Sequence, residues 1–157
     1  YTYASMAAMT HKTQQAIKLY KQYIKMDPQN AMGYNDLAFV YVGETKNYKL
    51  AHIYANKAFE LNPTDPYILD TLGWVYYKQG NYNMALKYVK ASMDKNYNPE
   101  SAEHLKAIYV ALGQSKQASE VRIISKKDMQ LNIKRQLLDK AIGLLMSTQF
   151  GIEINPK

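Results

Sequence analysis

The sequence predicts an all-α fold, a solenoid of short helices stacked as repeats. Three observations lead there. Ala16, Ala51, Ala85 and Ala118 recur 35, 34 and 33 residues apart, and Leu37, Leu72 and Leu105, like Tyr41, Tyr76 and Tyr109, follow at 35 and 33. Between these landmarks apolar residues fall at helix spacing, with small residues at a fixed place in most units. Proline, glycine and asparagine interrupt the chain at matching points, as at Pro28 and Pro63, 35 residues apart. Self-similarity at about 34 residues marks a helical array whose units bury their apolar faces only by stacking on one another.

The elements follow in order. Residues 1–28 read as half a unit. Thr13–Met26 has the pattern of a second helix, with Ala16, Tyr20 and Tyr23, closed by Asp27-Pro28. Its first helix would occupy about Tyr1–Met9 and upstream, with Ala4 at the small position. In the unit 31–63, Gly33–Val42 carries Leu37, Ala38 and Tyr41, and Gly43–Asn47 forms the turn. Tyr48–Leu61 follows with Ala51, Ala55 and Ala58, and stops at Asn62-Pro63 because proline disfavours helix in the residue before it.

In the unit 66–98, Tyr67–Gln79 places Leu69, Leu72, Val75 and Tyr76 on one stripe. Gly73 lies inside that helix, where glycine costs about 1 kcal/mol against alanine. A very close neighbouring helix would account for it. Gly80-Asn81 predicts a left-handed cap, and Tyr82–Lys95 forms the second helix with Tyr82, Ala85, Leu86, Val89 and Met93. Two such helices pack as an antiparallel hairpin. The unit 99–127 repeats the plan with Leu105, Tyr109, a turn at Gly113, and Ala118 on a second helix over 115–127. Lys106 stands where other units have Ala38 or Gly73, which predicts a hairpin that is looser or packed at its surface edge. Residues 128–150 read as a terminal helix, with Leu131, Leu138, Ile142 and Leu145 on one side and Lys134, Arg135, Asp139 and Lys140 on the other. Repeat arrays need such a cap over the last apolar face. Residues 1–150 then make a single domain, with 151–157 as a loose tail.

Composition narrows the function. The absence of Cys removes disulfides, thiolate catalysis and zinc–thiolate sites. His11, His52 and His104 have no second His at helical spacing, so no metal site is expected. No nucleophile elbow surrounds a serine, and no Gly-rich phosphate loop occurs. The chain reads as a non-enzyme without cofactor. No apolar run spans a bilayer, and the opening YTYASMAAMT lacks the basic start and apolar core of a signal peptide. The net charge of +7 suits a Lys-rich solvated surface, an acidic partner, nucleic acid or acidic lipid. A basic cluster of Lys126, Lys127, Lys134, Arg135 and Lys140 has only Phe150 as an aromatic neighbour, which disfavours nucleic acid.

These motifs resemble the tetratricopeptide repeat. Leu72, Gly73, Tyr76, Gly80, Tyr82 and Ala85 match its pattern closely, as do Tyr34, Leu37, Ala38, Tyr41, Ala51, Ala58 and Pro63. The Pro99 unit matches more weakly. The resemblance covers residues 1–127, and the DTLGW wording is similar to late repeats of large bacterial members. It implies a right-handed superhelix and a concave groove lined by first helices. The groove would bind a protein or peptide without catalysis.

On the groove face the family mapping places Asn35, Asp36 and Phe39, then Tyr67, Asp70, Thr71, Trp74, Tyr77 and Lys78, then Glu100, Glu103, His104, Ala107 and Val110. Asp36, Asp70 and Glu103 would form an acidic ladder beside Phe39, Trp74 and Tyr77. A basic segment with an apolar anchor would fit it. The competing reading puts Trp74 in the seam between helices and leaves the acids solvated. Family members that grip a C-terminal carboxylate use paired Asn and Lys or Arg, of which only Asn35 and Lys78 are partial stand-ins here. Two other functions remain open: a self-associating module, joined through the edge around Tyr1–Met9, and a basic adaptor for nucleic acid or an acidic membrane.

Overall fold

The computed structural model describes residues 12–124 and 126–150. The expected helix over 1–10, its small residue Ala4, the edge around Tyr1–Met9 and the tail 151–157 lie outside them. The described residues are all helix and loop, and divide into two units, one ending at Arg122 and one starting at Ile123.

The first unit holds α1 (Thr13–Met26), α2 (Ala31–Gly43), α3 (Tyr48–Leu61), α4 (Pro66–Lys78), α5 (Tyr82–Lys95), α6 (Pro99–Ala111) and α7 (Ser115–Glu120). Each helix packs on its neighbour in sequence, and the odd-numbered second helices alternate with the first helices α2, α4 and α6. Side-chain caps fix where helices start: Asn30 accepts from the Gly33 N–H, Asn47 from Leu50, Asp65 from Tyr67 and Ile68, Asn81 from Met84, and Asn98 from Glu100. Helices α4 and α6 begin one residue earlier than the stripes predict. Pro66 and Pro99 take the first turn, where a missing N–H costs nothing.

The turns reverse the chain in two ways. Gly80 (φ +80°) and Gly113 (φ +71°) take the left-handed conformation that lets the chain reverse at once. In the preceding unit Gly43 stays helical, and Lys46 takes that conformation (φ 54°) three residues later.

The hairpin seam explains the repeat. A Cβ on Gly73 would lie 2.6 Å from Val89 Cγ2, 3.0 Å from the Val89 nitrogen and 3.2 Å from the Ala85 oxygen. The backbones of α4 and α5 meet there, so no larger residue fits. Ala38, Ala51, Ala55 and Ala58 serve the same seam in the preceding hairpin, each at most 1% exposed. Stacked tyrosine pairs flank the seam at equivalent positions: Tyr41 on Tyr54 at 5.5 Å, and Tyr76 on Tyr88 at 5.6 Å. Ser92 Oγ donates to the Pro66 carbonyl at 2.7 Å and ties the end of α5 to the start of α4.

The fourth unit departs from expectation. Its second helix, expected over 115–127, ends at Glu120, and Val121 is extended. Repeat register supplies the reason. Lys106 and Arg122 occupy the places of Gly73 and Val89, 33 residues on. Two long cations cannot share the point where backbones should touch, and both are exposed. The Arg122 carbonyl instead accepts from the Tyr97 hydroxyl at 3.2 Å.

The second unit contains α8 (Lys126–Phe150), which starts two residues before the sequence suggests. Its Leu131, Ile133, Leu137, Leu138, Ile142, Leu144 and Leu145 are all exposed.

Two outcomes follow from the seam. Gly73→Ala is expected to destabilise by about 1–3 kcal/mol despite alanine's better helix propensity, and Val89→Ala should recover part of that loss. Urea unfolding of the two single variants and the double variant checks this; no loss in Gly73→Ala would contradict the close contact. Lys106→Gly with Arg122→Val should extend α7, read as slower amide exchange over 121–124. Unchanged exchange would show that charge and bulk at the seam do not end the helix.

Candidate functional site

The first helices α2, α4 and α6 lie side by side. Within each, the second, fifth, ninth and twelfth positions are three or four residues apart and so share one face. The residues there are Met32, Asn35, Phe39 and Val42 on α2, Tyr67, Asp70, Trp74 and Tyr77 on α4, and Glu100, Glu103, Ala107 and Val110 on α6.

The structure sorts the expected groove residues into two layers. Asn35, Asp70, Thr71 and His104 are buried. Asp36, Trp74 and Tyr77 are half-buried, and Phe39, Tyr67, Lys78, Glu100, Glu103 and Val110 are exposed. The exposed apolar surface is therefore Phe39, Tyr67 and Val110, and Trp74 is partly covered.

The buried layer joins one repeat to the next. His104 Nδ1 and Asp70 Oδ2 lie 3.0 Å apart, and with the carboxylate ionised the ring N–H donates. The His104 ring also stacks on Trp74 at 3.9 Å, nearly parallel at 13°. Trp74 stacks on Tyr77 at 4.6 Å, and the Lys78 ammonium sits 4.5 Å from the Trp74 centroid. This cation–ring contact adds an attraction of about 0.5–1 kcal/mol at an exposed site. Asp70 Oδ1 is enclosed without a hydrogen-bond partner, so the carboxylate depends on His104. On α2, Asn35 Nδ2 donates to Asp36 Oδ1 at 3.4 Å, while Asn35 Oδ1 is enclosed without one.

Asp70 is thus tied up inside the array, and among the acids of the first-helix face Glu100 and Glu103 are exposed and Asp36 is half-buried. Sequence reading singled out Asp70, Trp74 and His104 separately and missed that they form one cluster. The signal was present: an acid at the fifth position of one unit and a His at the sixth position of the next, 34 residues on.

A family model described as anaphase-promoting complex, cyclosome, subunit 3 matches residues 44–121. A TPR repeat-containing protein of Pseudomonas aeruginosa is 34% identical over 105 residues, which are 67% of this chain and 18% of that relative. The chain is a tetratricopeptide-repeat protein. The matched stretch spans less than a fifth of that relative's length. Among solved structures, MamA from Desulfovibrio magneticus superposes with a TM-score of 0.67 at 21% identity, covering 85% of this chain and 74% of that one. The first TPR domain of Spaghetti (RPAP3), solved with an HSP90 peptide, also superposes at 0.67 and 21% identity, covering 71% and 91%. These likenesses establish the tetratricopeptide solenoid. Among the described residues no group of three His, Asp or Glu could hold a metal ion, and no helix is long and apolar enough to cross a membrane.

His104→Ala should leave the Asp70 carboxylate enclosed without a partner, at a cost of about 1–3 kcal/mol or more. Asp70→Asn in the same background should recover part of it, because the amide carries no charge to bury. Denaturant unfolding of both variants measures this, and a neutral His104→Ala would contradict a structural role for the pair.

Proposed function

We propose that the first-helix face of this repeat array is a non-catalytic docking groove for a segment of another protein, one with apolar anchors flanked by Lys or Arg. The observation that carries this reading is the composition of the exposed layer. Phe39, Tyr67 and Val110 stand out at 43%, 51% and 63% exposure on consecutive first helices. Glu100 and Glu103 are exposed on α6, and Asp36 is half-buried on α2. Apolar side chains there supply most of the binding energy on desolvation, and the acids select the charge of the partner and speed its approach. Lys78 is the counter-charge on this face, held over Trp74.

The neighbour that carries an HSP90 peptide supports peptide binding by this fold in general. A carboxylate-gripping mode fits this chain poorly, because Glu100, Glu103 and Asp36 would repel a terminal carboxylate.

The test uses labelled helical peptides of matched length, one basic and apolar-striped, one with its charges reversed. The basic peptide should bind more tightly. Glu103→Lys should weaken it several-fold, with an effect that shrinks as salt rises. Phe39→Ala should weaken both peptides. Glu103 serves better than Asp70 here, because replacing Asp70 also breaks the His104 bond. Equal affinity for the two peptides, or preference for the acidic one, would contradict the charge argument; no binding of either would contradict the groove.

A further inference from the structure

Among the described residues, exposed apolar side chains are concentrated in two places. Of the 13 large hydrophobic residues that are exposed among the described residues, seven lie on α8 and three, Phe39, Tyr67 and Val110, on the first-helix face. Isolated exposed apolar residues are ordinary, but a cluster on one helix needs a partner.

The pattern on α8 says what kind of partner. Leu131, Leu138, Ile142 and Leu145 form one stripe. Ile133, Leu137 and Leu144 form a second. Leu131 and Ile133 are two residues apart, about 200° around the helix, so the stripes face opposite ways. A helix lying on a membrane has one apolar side and one polar side, and α8 does not. A helix held between the walls of a concave groove is touched on opposite sides, which α8 suits. Its charge is also complementary to the acidic face: Lys126, Lys127, Lys134, Arg135 and Lys140 against Asp128 and Asp139 leave five positive and two negative groups. The same excess opposes pairing of one α8 with another, since Lys134 and Arg135 fall between Leu131 and Leu138 on the first stripe. At 25 residues α8 is about 37 Å long, enough to cross three first helices packed about 8–10 Å apart.

We propose that α8 of one copy of this chain docks into the acidic first-helix groove of a second copy. The proposal rests on the groove reading above and names its occupant. The contact is heterologous: donor helix and acceptor groove are different surfaces, so each copy keeps one of each to offer. Leu138 and Leu145 enter as apolar anchors, and Lys134 and Arg135 meet Glu100, Glu103 and Asp36. This is helix-in-groove recognition, with anchors read at helical spacing.

Sedimentation of the whole chain across a concentration series tests it, with two variants. Leu138→Asn/Leu145→Asn removes anchors from α8, and Glu100→Lys/Glu103→Lys reverses the groove acids; all four positions are exposed, so folding should be retained. The unaltered chain should gain mass with concentration and lose it as salt rises. Each variant alone should be monomeric. Mixed in equal amounts, they should form a one-to-one complex and nothing larger, because one retains the helix and the other the groove.

Several results would overturn the proposal. A monomer at every concentration would place α8 elsewhere, on its own repeats or on a lipid surface. Association that survives the groove variant but not the helix variant would mean that α8 pairs with itself. Association that survives both would mean another interface. Binding of the basic test peptide to the Leu138→Asn/Leu145→Asn variant, with the unaltered chain monomeric, would remove this inference and leave the groove reading intact.

Discussion

The structure depends on how closely α4 and α5 approach. With Val89 and Ala85 pressed against the backbone at Gly73, there is no room for even one extra carbon. That contact fixes the hairpin angle, and the angle turns each first helix toward the same side of the array. The stacked pairs Tyr41–Tyr54 and Tyr76–Tyr88 then lock the angle from the flank, at nearly the same spacing in two successive units. Where the contact is lost the architecture loosens. Lys106 and Arg122 take the equivalent sequence positions in the fourth unit, both are exposed, and its second helix is six residues long.

A second constraint joins repeats rather than helices within a repeat. The Asp70–His104 bond and the Trp74 stack connect α4 to α6 beneath the proposed binding face. Such a buried polar link orients more than it stabilises, since the carboxylate loses water in exchange for one bond. Its effect is to hold Glu103, one residue before His104, at a fixed offset from Tyr67 and Tyr77. The face proposed for binding draws on three helices, and a site built from several elements depends on their holding fixed positions.

The fold was largely legible in the sequence because a repeat states its packing several times. Gly73, Ala38, Ala51 and Ala85 announced close helix contacts, and Gly80 and Gly113 announced the reversals. The places that were hard to read are those where one unit breaks the rule. Lys46, a non-glycine inside the expected turn Gly43–Asn47, carries the left-handed conformation, and a helix whose local sequence, SKQASEVRIISK, has no breaker stops at Glu120. Neither depends on local propensity. The first depends on how many residues the turn needs, and the second on what lies across the seam. The candidate site was legible as a set of positions but not as layers. The family mapping puts Asp70, Trp74 and His104 on the same face as Phe39 and Glu103, and only the helix packing shows that the first three are engaged with one another and that Phe39, Tyr67 and Val110 are left exposed.

On the proposed reading, partners meet the first helices of the hairpins and not the second. Titrating a basic, apolar-striped helical peptide into isotope-labelled protein and following backbone amide shifts tests it most directly. The account predicts shifts that cluster on α2, α4 and α6 around Phe39, Tyr67, Glu103 and Val110, with α3 and α5 silent around Ile53, Lys57 and Lys90. Shifts centred on α3 and α5 instead would contradict it.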